Sequence, residues 1–269
     1  ARYPERTGAM IELIKSSEDL ARQKWDVLVP TMGALHAGHQ SLIKLARNHG
    51  DKVIVSIFVN PLQFEKKSDL ENYPKTLSQD LEIAAEVGAT AVFAPSEADI
   101  YPGNVEKINA GNLGDLFEGA SRPGHFSGVL TVVKRLFDLV KPKVAIFGEK
   151  DFQQLALIRE IATDIEIVAA PIIRESDGLA MSSRNIRLSE EGRTAARVIS
   201  RALRESNSEI ELRAILESEP LFTLDYADYI DEKTFLPPTD LTQSTRAIVA
   251  GWINGVRLLD NMAVKSEVK

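Results

Sequence analysis

A chain of 269 residues, 44% hydrophobic and 26% charged, carries enough apolar material to bury a core as one large domain or two smaller ones, which argues against disorder. Its formal net charge of -7 speaks against a nucleic-acid-coating surface, so an anionic ligand needs a local cluster of positive groups. The absence of cysteine excludes disulfides, thiolate catalysis and thiolate zinc sites, leaving oxygen or imidazole for any metal. No apolar run approaches the roughly 18 residues of a membrane span, and the first residues are polar, unlike a secretion signal. A soluble cytoplasmic protein is expected.

In chain order, short apolar runs alternate with helical patterns: a strand at 26–29 and a helix at 40–48, a strand at 53–59 and a helix at 76–87, then a strand at 91–94. A helix fits 128–140, where Val129, Val132, Val133, Leu136 and Leu139 recur before Pro142. A strand at 144–147 and a helix at 152–163 follow. Strands this short and this apolar suit a parallel sheet covered on both faces, so the pattern predicts a doubly wound α/β fold. Beyond Ile173 the character changes. RESDGLAMSSRN (174–185) is turn-rich, two charged helices fit 189–206 and 208–216, and strands fit 224–235 and 246–264 around a loop at 231–240. This predicts two domains, 1–173 and a smaller α+β unit, 174–269, that either dimerises or covers the site.

TMGALHAGHQSLIKLAR (31–47) sets His36 and His39 three residues apart at a helix start expected near His39, with Gly33 and Gly38 permitting close backbone approach. A helix N-terminus offers unpaired amides and a positive dipole end, both suited to phosphate. The imidazoles add donors on the same side, an arrangement able to stabilise charge developing at an α-phosphorus. An isolated H-x-x-H also fits surface histidines or part of a metal site. Phosphate is favoured because no third imidazole or cysteine lies close by, and because strand, glycine loop and helix follow in order. His49 reads as a surface residue.

Other segments carry their own chemistry. SIFVNPLQF (56–64) places the neutral amides Asn60 and Gln63 at the carboxyl edge of the sheet, or else forms a plain turn in which Asn60 satisfies backbone groups. FGEKDFQQL (147–155) repeats the strand, glycine, helix order: Lys150 is a mobile cation, Asp151 a helix cap or ribose ligand, and Gln154 lies about a turn further on. MSSRN (181–185) joins two hydroxyls and a guanidinium in a loop able to close over phosphates, or serves as an ordinary linker. EKKSDLENYPKTLSQD (65–80) is a polar lid or a solvated connection.

His36-Ala37-Gly38-His39 resembles the H-x-G-H signature of the adenylate-forming, nucleotidyl-transferring Rossmann-like superfamily, which includes class I aminoacyl-tRNA synthetases. Together PTMGALHAGHQSLI, SIFVNPLQF, RPGHFSGVLTVV, FGEKDFQQL and DGLAMSSRN resemble the pantothenate synthetase (pantoate:beta-alanine ligase) family, in that family's order, over residues 30–185. The C-terminal third shares length and general pattern and is less diagnostic. The resemblance implies a Rossmann-like catalytic domain. It implies that ATP is bound by Met32, Gly33, His36, Gly38 and His39, by Gly148, Glu149, Lys150 and Asp151, and by Met181, Ser182, Ser183 and Arg184. Ile173 would flank the adenine, and MSSRN would match the mobile KMSKS loop of the synthetases, with arginine in place of lysine.

Pantoate and beta-alanine would meet Asn60, Gln63 and Gln154, with Val129, Val132 and Val133 around the gem-dimethyl group, while Arg122 and His125 serve loop structure. Asp80 would touch Mg²⁺, although its expected carboxylate neighbour is Gln79 here, which leaves most of the metal to phosphate and water. By the same resemblance pantoate attacks the α-phosphate to give pantoyl adenylate and pyrophosphate, and beta-alanine then expels AMP. His36, His39, Lys150 and Arg184 would stabilise the transferring charge. A homodimer is implied, with no nucleic-acid or membrane partner. The alternatives are a nucleotidyltransferase that keeps AMP in its product, and a non-catalytic ATP-binding module.

Overall fold

The apolar runs become parallel strands. The computed structural model describes residues 11–65, 67–239 and 244–264. Six strands form its larger sheet: β1 (Glu12–Ile14), β2 (Val27–Thr31), β3 (Val53–Ile57), β4 (Ala91–Phe93), β5 (Val144–Gly148) and β6 (Glu166–Ala170). Their order is β1-β4-β3-β2-β5-β6, with Val27 opposite both Val53 and Val144. The chain leaves β2 toward β3 on one side and later returns to β5 on the other. The carboxyl end of β2 is therefore a switch point, where open α/β sheets bind ligands.

The longer helices among these strands are α1 (Ala37–Ala46), α2 (Leu77–Glu86), α3 (His125–Val140) and α4 (Phe152–Ile161). Two of them start earlier than the periodicity predicts: α1 begins at Ala37 because His36 caps it, and α3 begins at His125. β1 and β6 are not among the strands the sequence predicts; both are edge strands, one of three residues and the other burying only Ala170. Of the polar stretch 65–80, Lys67–Glu71 is a short helix, and residue 66 lies outside the described residues.

Contacts divide the chain into two compact units: Ala1–Ile108 with Ser127–Phe147 and Ile161–Ala170, and Asn109–Phe126 with Gly148–Glu160 and Pro171–Lys269. The sequence suggests one division near 173; residues 109–126 and 148–160 also group with the C-terminal part. In the first unit, Val27, Val29, Val53, Val55, Val92 and Ile146 have no exposure and share a core with Ile43 and Ala46 of α1 and Ala84 of α2. Fully burying a side chain of valine or isoleucine size is worth about 1.5–3 kcal/mol.

In the second unit, α5 (Glu190–Glu205) and α6 (Glu209–Glu217) precede an antiparallel sheet of β7 (Phe222–Asp231), β8 (Thr245–Ile253) and β9 (Val256–Ala263), in that spatial order. Ser189 and Ser208 cap the two helices, accepting from Gly192 N at 3.0 Å and Glu211 N at 3.2 Å. Asn254 and Gly255, both at positive φ, form the turn between β8 and β9. β8 is central and buried at every position but Trp252, and Val249 packs with Ala196, Ile199, Leu212 and Leu216 of the helices. The strand expected over 224–235 ends at Asp231 and a turn follows; the loop expected to 240 reaches a residue outside those described. No helix among the described residues is long and apolar enough to cross a membrane.

Candidate active site

In the first unit, β2 ends at Thr31, and Met32 and Gly33 turn the chain toward α1. Gly33 has φ +82°, and a Cβ there would stand 3.0 Å from Asp80 Oδ2 and from Ile57 Cγ2, so only glycine fits. Asp80 is 1% exposed. Its Oδ1 accepts from Leu35 N at 2.7 Å, and its Oδ2 from Ala34 N at 3.1 Å and Thr76 Oγ1 at 3.2 Å. The sequence assigns this carboxylate a Mg²⁺ contact, and the structure gives it other work. Buried, with both oxygens already accepting from the loop and from Thr76, it holds the 33–35 loop and is poorly placed to serve as a metal ligand. Among the described residues no group of three His, Asp or Glu side chains could hold a metal ion.

His36 is the N-cap of α1. Its Nδ1 accepts from Gly38 N at 3.1 Å, while its own backbone N–H donates to His39 Nδ1 at 3.3 Å. Backbone amides can only donate, so each ring accepts at Nδ1 and carries its proton on Nε2. The first-turn amide of Gly38 is thus spent on the cap. The two ring centroids lie 4.1 Å apart.

Asn60 and Gln63 bracket a 3-10 turn, Pro61–Gln63, after β3. Asn60 is 1% exposed. Its amide donates to Gln63 Oε1 at 3.1 Å and Gly128 O at 3.0 Å, and its Oδ1 accepts from Leu62 N at 3.2 Å and Tyr101 OH at 2.7 Å. All of its hydrogen-bonding capacity in direct donors is committed, so Asn60 orients Gln63, whose Nε2 meets Met32 Sδ at 3.1 Å. Tyr101 carries no sequence signal, and burial, aided by Glu97, raises its pKa so that the hydroxyl stays a donor. Val129, Val132 and Val133 are 3%, 7% and 3% exposed along α3.

In the second unit, Gly148 leads into a 3-10 turn, Glu149–Asp151, and then α4. Lys150 Nζ lies 3.5 Å from Asp151 Oδ1. One cleft is lined by Lys150, Ser182 and Arg184 together with Arg257 and Asp260, so groups more than thirty residues apart in sequence share one wall. A second is lined by Lys150, Asp151 and Gln154 with Arg122, His125 and Asn261. Arg122 and His125 thus face a cleft as well as each other, at 3.1 Å.

The 173–185 segment is tied down at several points. Met181 N donates to Ile173 O at 2.9 Å, Ser182 Oγ caps a 3-10 turn by accepting from Arg184 N at 3.3 Å, and Asn185 Nδ2 donates to Glu175 Oε1 at 2.6 Å. Ser183 opens that turn, Ser183–Arg187, and Ile173 is 36% exposed. Arg174 forms a bidentate pair with the buried Asp260, at 2.6 and 3.0 Å.

Sequence reasoning misses an ion cluster here. Arg257 Nη2 reaches Glu118 Oε2 at 2.6 Å and Asp225 Oδ2 at 2.7 Å, and Arg122 Nη1 reaches Glu118 Oε1 at 3.2 Å. Burial pushes the Glu118 pKa up, but hydrogen bonds and charge from Arg257 and Arg122 outweigh it and hold the carboxyl below its ordinary range. Burial and the nearby Arg184 lower the Arg122 pKa against the pull of Glu118. The signal for this cluster is absent from sequence because its members sit on three separate segments.

The family model described as pantoate-beta-alanine ligase matches residues 6–263. The pantothenate synthetase of Acidothermus cellulolyticus is 47% identical over 88% of this chain and 84% of its own length. That of Chlorobaculum tepidum is 45% identical over 93% and 95%. Among solved structures, pantothenate synthetase from Thermus thermophilus superposes with a TM-score of 0.90 at 39% identity, covering 95% of this chain and all of that one. The pantoate-beta-alanine ligase from Francisella tularensis, complexed with beta-gamma ATP and beta-alanine, gives 0.82 at 37% identity, over 95% and 98%. A parallel sheet with a capped His36/His39 pair at its switch point, matched over nearly its whole length, leaves one conclusion: the chain belongs to the pantoate-beta-alanine ligase family.

Proposed function

We propose that this enzyme condenses pantoate with beta-alanine at the expense of ATP, releasing pantothenate, AMP and pyrophosphate. The observation that carries the reading is the family match over residues 6–263, within which the His36/His39 pair stands at the sheet's switch point. A free carboxylate is a poor acyl donor, so amide formation needs an activated leaving group, and ATP supplies it. Pantoate's carboxylate oxygen attacks the α-phosphorus, the bond to pyrophosphate breaks, and a pantoyl adenylate forms. The free amine of beta-alanine then attacks the acyl carbon and AMP leaves with the bonding pair.

The roles follow from the chemistry of each group. His36 and His39 present Nε2–H donors to the transferring phosphoryl group, a placement that stabilises charge as it develops. Lys150, Ser182, Ser183 and Arg184 bind the phosphates, and Met32, Gly33, Gly38, Gly148, Glu149, Asp151, Ile173 and Met181 hold the rest of ATP. Gln63 and Gln154 orient pantoate, Asn60 acts through Gln63, and Val129, Val132 and Val133 supply the apolar wall for its methyl groups. Mg²⁺ enters with ATP as part of the substrate, held by phosphate oxygens and water. A homodimer in the cytoplasm completes the reading.

The experiment is ATP consumption with Mg²⁺ and pantoate, with and without beta-alanine, following pyrophosphate, AMP and pantothenate. Stoichiometric formation of all three only with both substrates is the expected result. AMP retained in a product would indicate the nucleotidyltransferase alternative, and no pyrophosphate at all would leave only a binding module.

A further inference from the structure

Lys150 is carried on a three-residue turn, and the turn is gripped from behind. Asn261 of β9, 2% exposed, donates from Nδ2 to Glu149 O and to Lys150 O, both at 2.9 Å. Its Oδ1 accepts from Arg246 Nη1 at 2.6 Å, which fixes the carboxamide the right way round. Arg246, 8% exposed, is itself held by Glu232 Oε1 at 2.7 Å, and its guanidinium lies 4.1 Å over the ring of Phe152, the first residue of α4. The chain from Glu232 through Arg246 and Asn261 thus holds two of the turn's three carbonyls and the ring just beyond it. Both Lys150 and Asn261 line the same cleft.

We infer that Asn261 is a positioning residue for Lys150: its oriented carboxamide fixes the backbone of the 149–151 turn so that the ammonium is presented to the phosphates of the nucleotide. The inference rests on the reading of Lys150 as a phosphate-binding group. A side chain that only filled space at this position would have no need of two donors aimed at consecutive carbonyls, nor of a partner that prevents the amide from flipping.

The test is steady-state ligation with the full chain, varying Mg-ATP, pantoate and beta-alanine in turn, for wild type, Asn261→Leu, Lys150→Ala and the double variant. Asn261→Leu is expected to lower kcat/KM for ATP about tenfold or more, as misplacing a binding group does. KM for beta-alanine should stay within about twofold, and on top of Lys150→Ala the substitution should cost less than about threefold, because both act through one group. Additive losses overturn the inference, as do equal losses for every substrate that track a lowered folded fraction. If Asn261→Leu does not fold, Asn261→Ser replaces it, with a rise in KM for ATP alone expected and an unchanged KM overturning the idea. A wild-type chain that makes no pantothenate would sink the functional reading instead, and that control separates the two failures.

Discussion

His36 carries two tasks on one ring: Nδ1 caps α1, and the tautomer this imposes puts a donor on Nε2. The tasks can be separated, because asparagine is among the strongest N-caps but reaches less far and has no imidazole donor. His36→Asn should therefore keep thermal stability within about 1 kcal/mol while pyrophosphate release falls by about 10²–10³, the usual loss for one donor to developing charge. Differential scanning calorimetry beside the pyrophosphate assay reads both; near-wild-type turnover would mean the ring is only a cap. This pair was legible in sequence because chemistry-bearing residues stood at a recognisable helix start. Asp80, Tyr101 and Asn261 are not legible in their roles, since each depends on which backbone group or amide it meets across the fold, and spacing does not encode that.

At the level of elements, α3 approaches the Pro61–Gln63 turn so closely that a Cβ on Gly128 would lie 2.3 Å from Leu62 O. In a free helix Gly→Ala adds about 1 kcal/mol of stability. Here the added methyl meets backbone that cannot swing away, and overpacking of that kind costs about 1–3 kcal/mol. Gly128→Ala is therefore expected to lower stability, and by displacing the turn that carries Gln63 to raise KM for pantoate more than KM for ATP. Urea denaturation together with substrate titrations tests it, and a stabilised variant would show that the contact relaxes. The same closeness explains which elements sequence reveals. Strands β2, β3, β4 and β5 are buried and announce themselves as apolar runs, whereas β1 and β6 owe their place to the sheet edge they join.

For the molecule as a whole, the feature least visible in sequence is that residues 109–126 belong with the C-terminal part. Gln153 of α4 bonds Leu113 O, Leu116 O and Glu118 N of this segment, and charge joins it further: Glu118, 7% exposed in its side chain, meets Arg257 of β9 and Arg122, while Ser121 and Arg257 both bond Asp225 of β7. Removing the Glu118 charge leaves Arg122 without its carboxylate and Arg257 with Asp225 alone, a loss of up to about 3–5 kcal/mol, the cost of breaking a desolvated pair. Glu118→Gln should lower stability at neutral pH by an amount of that order. The pH dependence has a definite sign. The folded-state pKa of Glu118 lies below its ordinary value of 4.5, so its contribution is fully present above that pH. As the pH falls toward the lower folded-state value the unfolded chain takes up the proton first, and the contribution is lost. Chemical denaturation of wild type and Glu118→Gln from pH 7 to pH 3 should therefore show two stabilities that are far apart at pH 7 and converge in acid. A gap that stays constant over that range would mean that the carboxylate's shape, and not its charge, holds 109–126 in place.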